Sequence, residues 1–352
     1  MRYCRYTELL CQCLTYWDVS SVDTAQSSLT RGAVNWPILL LCADRHHILP
    51  SLFFSLNQSS LLRYLPKEVS EYLHAVWTLN RRRNRMLRQA LFAVSRQLNK
   101  IGIAPVLLKG ATALIAQENS GCFDRVMYDL DLYIPEQRSR EAYDFLKEHG
   151  YTPLYTTQAF WDQHHHEAAL RHSEFPVSIE LHKHILSAKQ FNDAPVSVRE
   201  GMEKIRIGGA EMLLPNRSFR VLHNFIDHSI HDGFFFQNRI ELRRLYESVR
   251  LRADRPCEIR WHNVQAYCRK KRIYTAWLTY CLSSRQLFAC QLPCPVPRFS
   301  YALYKEQQVR LHSWFPLLSF VRYWLQRGVR LPARLVRASW YAVKFEDIFR
   351  HL

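Results

Sequence analysis

The chain has 352 residues, of which 48% are hydrophobic and 22% charged, and its formal net charge is +17 at pH 7. That composition excludes a disordered or fibrous chain, and the length suggests two or three domains. The positive balance points either to a polyanionic partner, such as RNA or acidic lipid, or simply to a well-solvated surface. Ten cysteines are scattered without a CxxC pair, so a four-ligand zinc site is poorly supported and free thiols in a reducing cytosol are expected. The start of the chain does not read as a signal peptide, which makes a cytoplasmic location the expectation. No transmembrane segment is expected either. The best apolar run, residues 38 to 56, is broken by Asp44, Arg45, His46 and His47.

Residues 1 to 62 read as helices separated by a polar loop, SSVDTAQSSLTRG. From 67 to 100 the apolar positions Val69, Leu73, Val76 and Trp77, then Leu87, Leu91, Val94 and Leu98, recur at helical spacing. The run RRRNR at 81 to 85 lies on that helix, as a solvated face or as a phosphate contact. Gly102 ends the helix. Ala104 to Leu108 reads as a short buried strand, ATALIAQE as a helix, Met127 to Ile134 as a second strand, and Gln137 to His149 as a helix closed by Gly150. Strands fit 164 to 172 and 177 to 185 around the turn SEFP, and 205 to 214 fits a short pair around Gly208 and Gly209. Beyond Asn216, an N-cap candidate, helices are expected to Gly233 and over 237 to 252, 261 to 272 and 274 to 290. PCPVPRF at 293 to 299 reads as a linker. The tail from 307 to 350 carries Arg327, Arg330, Arg334 and Arg337 at helical spacing, either a wet helix face or a peripheral contact with an anionic surface. The division expected is a helical region at 1 to 100, a core at 101 to 215 and a helical domain at 216 to 352.

The chemistry concentrates in DLDLYIP. Residues two apart on a strand share a face, so Asp129 and Asp131 project together while Leu130 and Leu132 face the other way. Two carboxylates on one face repel unless one is protonated or a cation lies between them. A divalent metal resolves the conflict, and Mg²⁺ favours carboxylate and phosphate oxygens. A sheet edge in water is the bland alternative. Two further features favour the metal. LKGAT joins a strand to a helix N-terminus, where a glycine lets phosphate approach free N–H groups. Glu180 in VSIELHKHI shares its parity with His182 on a later strand, and antiparallel pairing is expected to bring it beside the aspartates. Three carboxylates can hold two Mg²⁺ ions. Lys109 either neutralises a triphosphate or pairs with the acids. Arg125 either pairs with Asp129, touches phosphate or forms a structural ion pair. Of the histidines, His164 to His166 and His223, His228 and His231 lack a clean metal spacing, while His182 is placed to orient an acid or a substrate.

The ordered set LLKGAT, Arg125-x-x-x-Asp129-x-Asp131, Gly150-Tyr151 and Ile179-Glu180-Leu181-His182 resembles the uncharacterised nucleotidyltransferase family of the DNA polymerase β-like superfamily, over roughly residues 70 to 250. The resemblance implies an α+β fold, with a small mixed-sheet nucleotidyltransferase core flanked by N- and C-terminal helical regions. It implies an enzyme that binds Mg²⁺, two ions in all, and a nucleoside triphosphate such as ATP. Asp129, Asp131 and Glu180 match the catalytic, metal-binding acids, and Gly110 matches the glycine of the triphosphate turn, with Lys109, Thr112 and Arg125 around it. Ala111 stands where many superfamily members have serine, so a hydroxyl contact would have to come from Thr112. RIELRRLYE departs from the Leu-Asp pair that the family often shows.

The reaction implied is attack of an acceptor hydroxyl on the α-phosphate with loss of pyrophosphate. One ion, on Asp129, Asp131 and Glu180, lowers the acceptor's pKa, and the other, on the aspartate pair, neutralises the triphosphate. A sugar, another small molecule, a protein or RNA are all open as acceptors, with a non-RNA acceptor preferred. The clusters at 81 to 85 and 269 to 272 (RKKR) would suit tRNA. An inactive nucleotidyltransferase fold kept as a binding scaffold is the rival of another class.

Overall fold

A computed structural model describes residues 4–31, 34–116, 124–154, 166–184, 202–288, 292 and 301–314. The chain starts with four short helices, α1 (Arg5–Leu14), α2 (Val19–Thr30), α3 (Trp36–Arg45) and α4 (Leu49–Gln58). Most of the polar stretch expected to be a loop is therefore helix α2. Asp18 caps it by accepting the Ser21 N–H at 2.8 Å, and Ser21, Ala25 and Leu29, four residues apart, supply a small buried face. The cap and that spacing outweigh the polar composition. Helix α5 (Lys67–Lys100) follows, 34 residues and about 50 Å long. Leu87, Leu91, Val94 and Leu98 form its buried stripe, and Gly102, at φ +71°, turns the chain out of it.

A seven-stranded mixed sheet packs against α5. Its strands are β1 (Val106–Leu107), β2 (Asp129–Tyr133), β3 (Tyr151–Pro153), β4 (Leu170–His172), β5 (Phe175–His182), β6 (Glu203–Ile207) and β7 (Ala210–Leu214), in the order β3-β4-β5-β2-β1-β7-β6. Helix α6 (Lys109–Ala116) leaves β1, and α7 (Glu136–Glu148) joins β2 to β3. Central β2 runs antiparallel to β1 but parallel to β5. The antiparallel pairing expected for β2 and β5 is thus corrected, because β3 and β4 intervene and reverse the chain an even number of times. The expected strand over 164–172 is observed at 170–172, with His166 forming an isolated bridge to His182. His164 and His165 lie outside the described residues.

The C-terminal part is helical, with α8 (Arg217–Ile226), α9 (Leu242–Asp254), α10 (Trp261–Lys270), α11 (Tyr274–Phe288) and α12 (Tyr301–Trp314). Asn216 caps α8 by accepting the Phe219 N–H at 2.9 Å, and a π-helical turn, Asp227–His231, continues it. The expected linker at 293 to 299 and the Arg327–Arg337 stripe also fall outside the described residues. Among the described residues two large hydrophobic cores result, beside a small cluster of Leu278, Leu282 and Ala302. One joins α1–α4 to α8–α11 through residues such as Leu10, Leu52, Phe225 and Trp277. The other lies between α5, α6, α7 and the sheet, around Leu91, Leu114, Leu130 and Leu181. Helix α5 spans both, with Leu73 in the first and Leu87 in the second. Among the described residues, no helix is long and apolar enough to cross a membrane.

Candidate active site

The face of the sheet opposite Leu130 and Leu132 carries the acids. Parallel register places Asp131 directly beside Glu180, and Asp129 beside Ser178. Strand alternation then puts His182, two residues past Glu180, on the same face. Asp131, Glu180 and His182 each present one ligand atom, all within 4.8 Å of one another. Asp129 stands outside that tight group, half-buried on the same strand face.

Asp131 is 2% exposed and receives two donors at one oxygen. Lys109 Nζ lies 3.0 Å from its Oδ1, and His182 Nε2 donates to the same atom at 2.8 Å. His182 Nε2 is also 3.6 Å from Glu180, and His166 Nε2 is 4.0 Å from it. Burial works against the charge of every one of these groups, so the shifts record which neighbours prevail. For Asp131, Lys109 and His182 overcome burial and hold the carboxyl well below its usual range. For Glu180, the His182 hydrogen bond overcomes burial and lowers it. His182 is itself raised, burial being outweighed by Asp131 and Glu180, and Lys109 is raised against burial chiefly by Asp131. Asp129 goes the other way. Burial first, then the charges of Asp131 and Glu180, push it up to about 6.

The turn before α6 places Lys109. The Leu108 N–H donates to the Asp131 carbonyl at 3.1 Å, and Ala111 N–H to the Leu108 carbonyl at 2.9 Å. Lys109, not Gly110, takes the left-handed backbone, at φ +40°. A non-glycine residue held there is strained, and such strain gathers at functional sites. Gly110 has a different need: a Cβ would stand 2.5 Å from Met127 Sδ and 3.4 Å from Arg125 Nε. Thr112 Oγ1 donates to the Lys109 carbonyl at 2.8 Å, bracing the turn. Arg125 pairs with Glu247 rather than with Asp129, while Asn80 and Asn84 donate to its carbonyl at 3.1 and 2.8 Å.

Lys109, Thr112 and Arg125 also line a cavity of about 480 Å³, closed by residues of α4, α8 and α9. None of Asp129, Asp131 or Glu180 lines it. Beside it, Asp227 on the π-helical turn pairs with Arg244 of α9 at 2.8 Å, and both are buried. Asp227, Arg220, Arg244 and Glu247 had no motif to mark them. Their only sequence signal was the clustering of charge inside otherwise amphipathic helices.

The chain belongs to a family described as uncharacterised nucleotidyltransferase, which it matches over residues 32–289. No curated protein and no solved structure matches it. The residues present fit a hard divalent cation on two observations: Asp131, Glu180 and His182 gather their ligand atoms within 4.8 Å, and Asp129 stands on the same strand face, its carboxyl pushed up by burial and then by the charges of Asp131 and Glu180, which a cation would offset.

Proposed function

We propose that the protein moves a nucleotidyl group from a nucleoside triphosphate to an acceptor hydroxyl, with Asp129, Asp131 and Glu180 holding Mg²⁺. The observation that carries this reading is the in-register pair Asp131 and Glu180 on adjacent parallel strands, with Asp129 on the same face. Bound there, Mg²⁺ would neutralise the triphosphate and acidify the acceptor hydroxyl, two ions serving both ends of the displacement. His182 fixes the Asp131 carboxylate by a direct hydrogen bond, and its buried ring excludes water from behind the acids. Lys109, whose Nζ lies 3.0 Å from Asp131 Oδ1, would turn toward phosphate with a cation held there, because two cations at one carboxylate oxygen repel. Gly110 keeps the turn close to Met127, and Thr112 keeps Lys109 in its strained conformation. Arg125 sits at the cavity wall as a phosphate contact. In the transfer the acceptor hydroxyl loses its proton to solvent as its oxygen bonds to the α-phosphorus, the bond to the bridging oxygen breaks, and pyrophosphate departs with that electron pair.

A second reading has one observation in its favour. Lys109 already supplies a positive charge to Asp131, as in a fold retained for binding without turnover. Labelled nucleotides carrying ³²P at the α-position, offered with Mg²⁺ together with RNA, protein and small-molecule extracts, separate the two. Transfer of label to an acceptor, abolished by EDTA and by Asp131→Asn, is expected. No pyrophosphate release in any extract would leave the binding module as the answer. The preferred acceptor is not RNA, since the +17 charge is spread over the chain. Two members of the 81–85 cluster are also engaged internally. Arg81 stacks on Trp77 and Arg83 lies over Tyr128. The cytoplasm is the compartment proposed.

A further inference from the structure

We propose that the cavity enclosed by α4, α6, α8 and α9 is a metal-independent site for the polyphosphate group of a small molecule, anchored by Arg220. The inference stands on the cavity and not on the carboxylates, so it goes beyond nucleotidyl transfer as such. The volume, about 480 Å³, falls in the range of small-molecule sites. Its wall carries eight cationic side chains against three acidic ones. All three acids are already engaged: Asp124 with Arg250 at 2.6 Å, Glu247 with Arg125, and Asp254 with Arg217 at 4.0 Å. Asp124 Oδ1 and Glu247 Oε1 have no hydrogen-bond partner, but among the described residues the wall gathers no group of three metal-ligating side chains.

The cations are less evenly matched. Most of them have a carboxylate partner, on the wall or behind it. Among the described residues, the Arg220 guanidinium has no hydrogen-bond or ion-pair partner, and Arg125 Nε, buried at the same wall, also has none. Burial, then Arg217 and Arg125, press the Arg220 pKa down to about 10, so it remains charged at neutral pH. Three neighbouring guanidiniums with one unneutralised charge favour a ligand bearing several negative charges. A planar guanidinium presents paired N–H donors that match phosphate oxygens. The enclosing helices admit a small molecule rather than a nucleic-acid backbone. Tyr16, Phe54 and Tyr246 on the same wall offer an apolar surface to its organic part.

Two sources share this chemistry, the triphosphate of the nucleotide and a phosphorylated acceptor. The test uses the full chain in EDTA and titrates inorganic tripolyphosphate by calorimetry. Saturable binding is expected, weakened tenfold or more in Arg220→Gln and changed less than twofold in Glu180→Gln. Should Arg220→Gln unfold, Arg220→Lys keeps the charge but loses the fork, and a threefold loss or more is expected. No binding by the wild type without metal, or a substituted Arg220 that binds as the wild type does, overturns the proposal. ATP that displaces tripolyphosphate in EDTA assigns the site to the nucleotide. ATP that binds with Mg²⁺ and leaves tripolyphosphate in place assigns it to the acceptor. Because binding is read without turnover, a failure of nucleotidyl transfer would leave this result intact, and the reverse holds equally.

Discussion

The acidic cluster and the arginine-lined cavity are neighbours of opposite sign, and they are built in opposite ways. The cluster comes from two adjacent strands, in register, with Asp129, Asp131, Glu180 and His182 set by the two-residue alternation of β2 and β5. The cavity is assembled from α4, the turn before α6, and helices α8 and α9, elements far apart in the chain. Within the cluster, excess negative charge is offset by Lys109 and His182. Around the cavity, excess positive charge is offset pair by pair, except at Arg220. Among the described residues, only Lys109 belongs to both. Its Nζ meets Asp131 while its body lines the cavity. A metal-complexed triphosphate needs both kinds of surroundings side by side, and the strained residue is the one at the boundary.

The largest expected effect breaks the acidic half alone. Asp131→Asn removes the carboxylate shared by Lys109 and His182. Turnover should fall roughly a thousandfold or more, the scale seen when a group acting on transition-state charge is lost. Tripolyphosphate binding in EDTA should survive. Turnover within tenfold of wild type would remove Asp131 from the machinery.

The next effect breaks the ion pairing behind the cavity. Arg244→Met leaves Asp227 charged and buried without its partner, at a cost of about 3–5 kcal/mol in unfolding free energy. Denaturant unfolding of Arg244→Met, of Asp227→Leu and of the double variant measures it. The double variant should recover much of the loss. If it is as unstable as the sum of the single changes, the pair is not coupled.

How much of this was legible follows from the same contrast. Asp129, Asp131, Glu180 and His182 could be picked out because strand parity is a property of a few consecutive residues. Parity does not fix direction. Whether β5 runs with β2 or against it depends on β3 and β4 between them, and there the expected antiparallel pairing failed. The long helix α5 was readable from its apolar spacing. Helix α2 was not, because its buried face is made of Ser21, Ala25 and Leu29, which barely register as apolar. Arg220, Arg244, Glu247 and Asp227 meet only through tertiary packing, and no local pattern announces that. Gly110 was legible as a special position, while the reason, Met127 pressed against it, lay seventeen residues away.

That turn gives the third prediction. Gly110→Ala puts a methyl where Met127 Sδ stands and should destabilise by about 1–3 kcal/mol through overpacking. Combining it with Met127→Ala makes room and should restore most of the stability. If nucleotide affinity returns with it, the glycine serves packing. If affinity stays low in the stable double variant, the glycine serves phosphate approach.

The smallest effect is one of pH, and the two regions respond to it in opposite senses. His223 on the cavity wall and His228 beside Asp227 are buried and neutral, and burial pushes them down to about 4 and about 3. Their unfolded forms take up a proton near pH 6.5, well before the folded forms do. The unfolded chain therefore binds more protons between about pH 6.5 and 4, and stability falls on acidification through that window. His182, raised by the acids, contributes stability below 6.5 that is lost as pH rises through its folded value. Asp227, held low, begins to matter only below its unfolded value near 4. From pH 6.5 to 5.5 each neutral histidine should cost about 1 kcal/mol, and His182 should return part of it. His46 is held down likewise, to about 4, so His228→Phe, which suits a ring packed against Phe234 and Tyr280, should flatten the decline in thermal midpoint by about a third or less. An unchanged decline would place the acid sensitivity elsewhere, and a decline made steeper by His182→Gln would confirm that the carboxylate side opposes the cavity side.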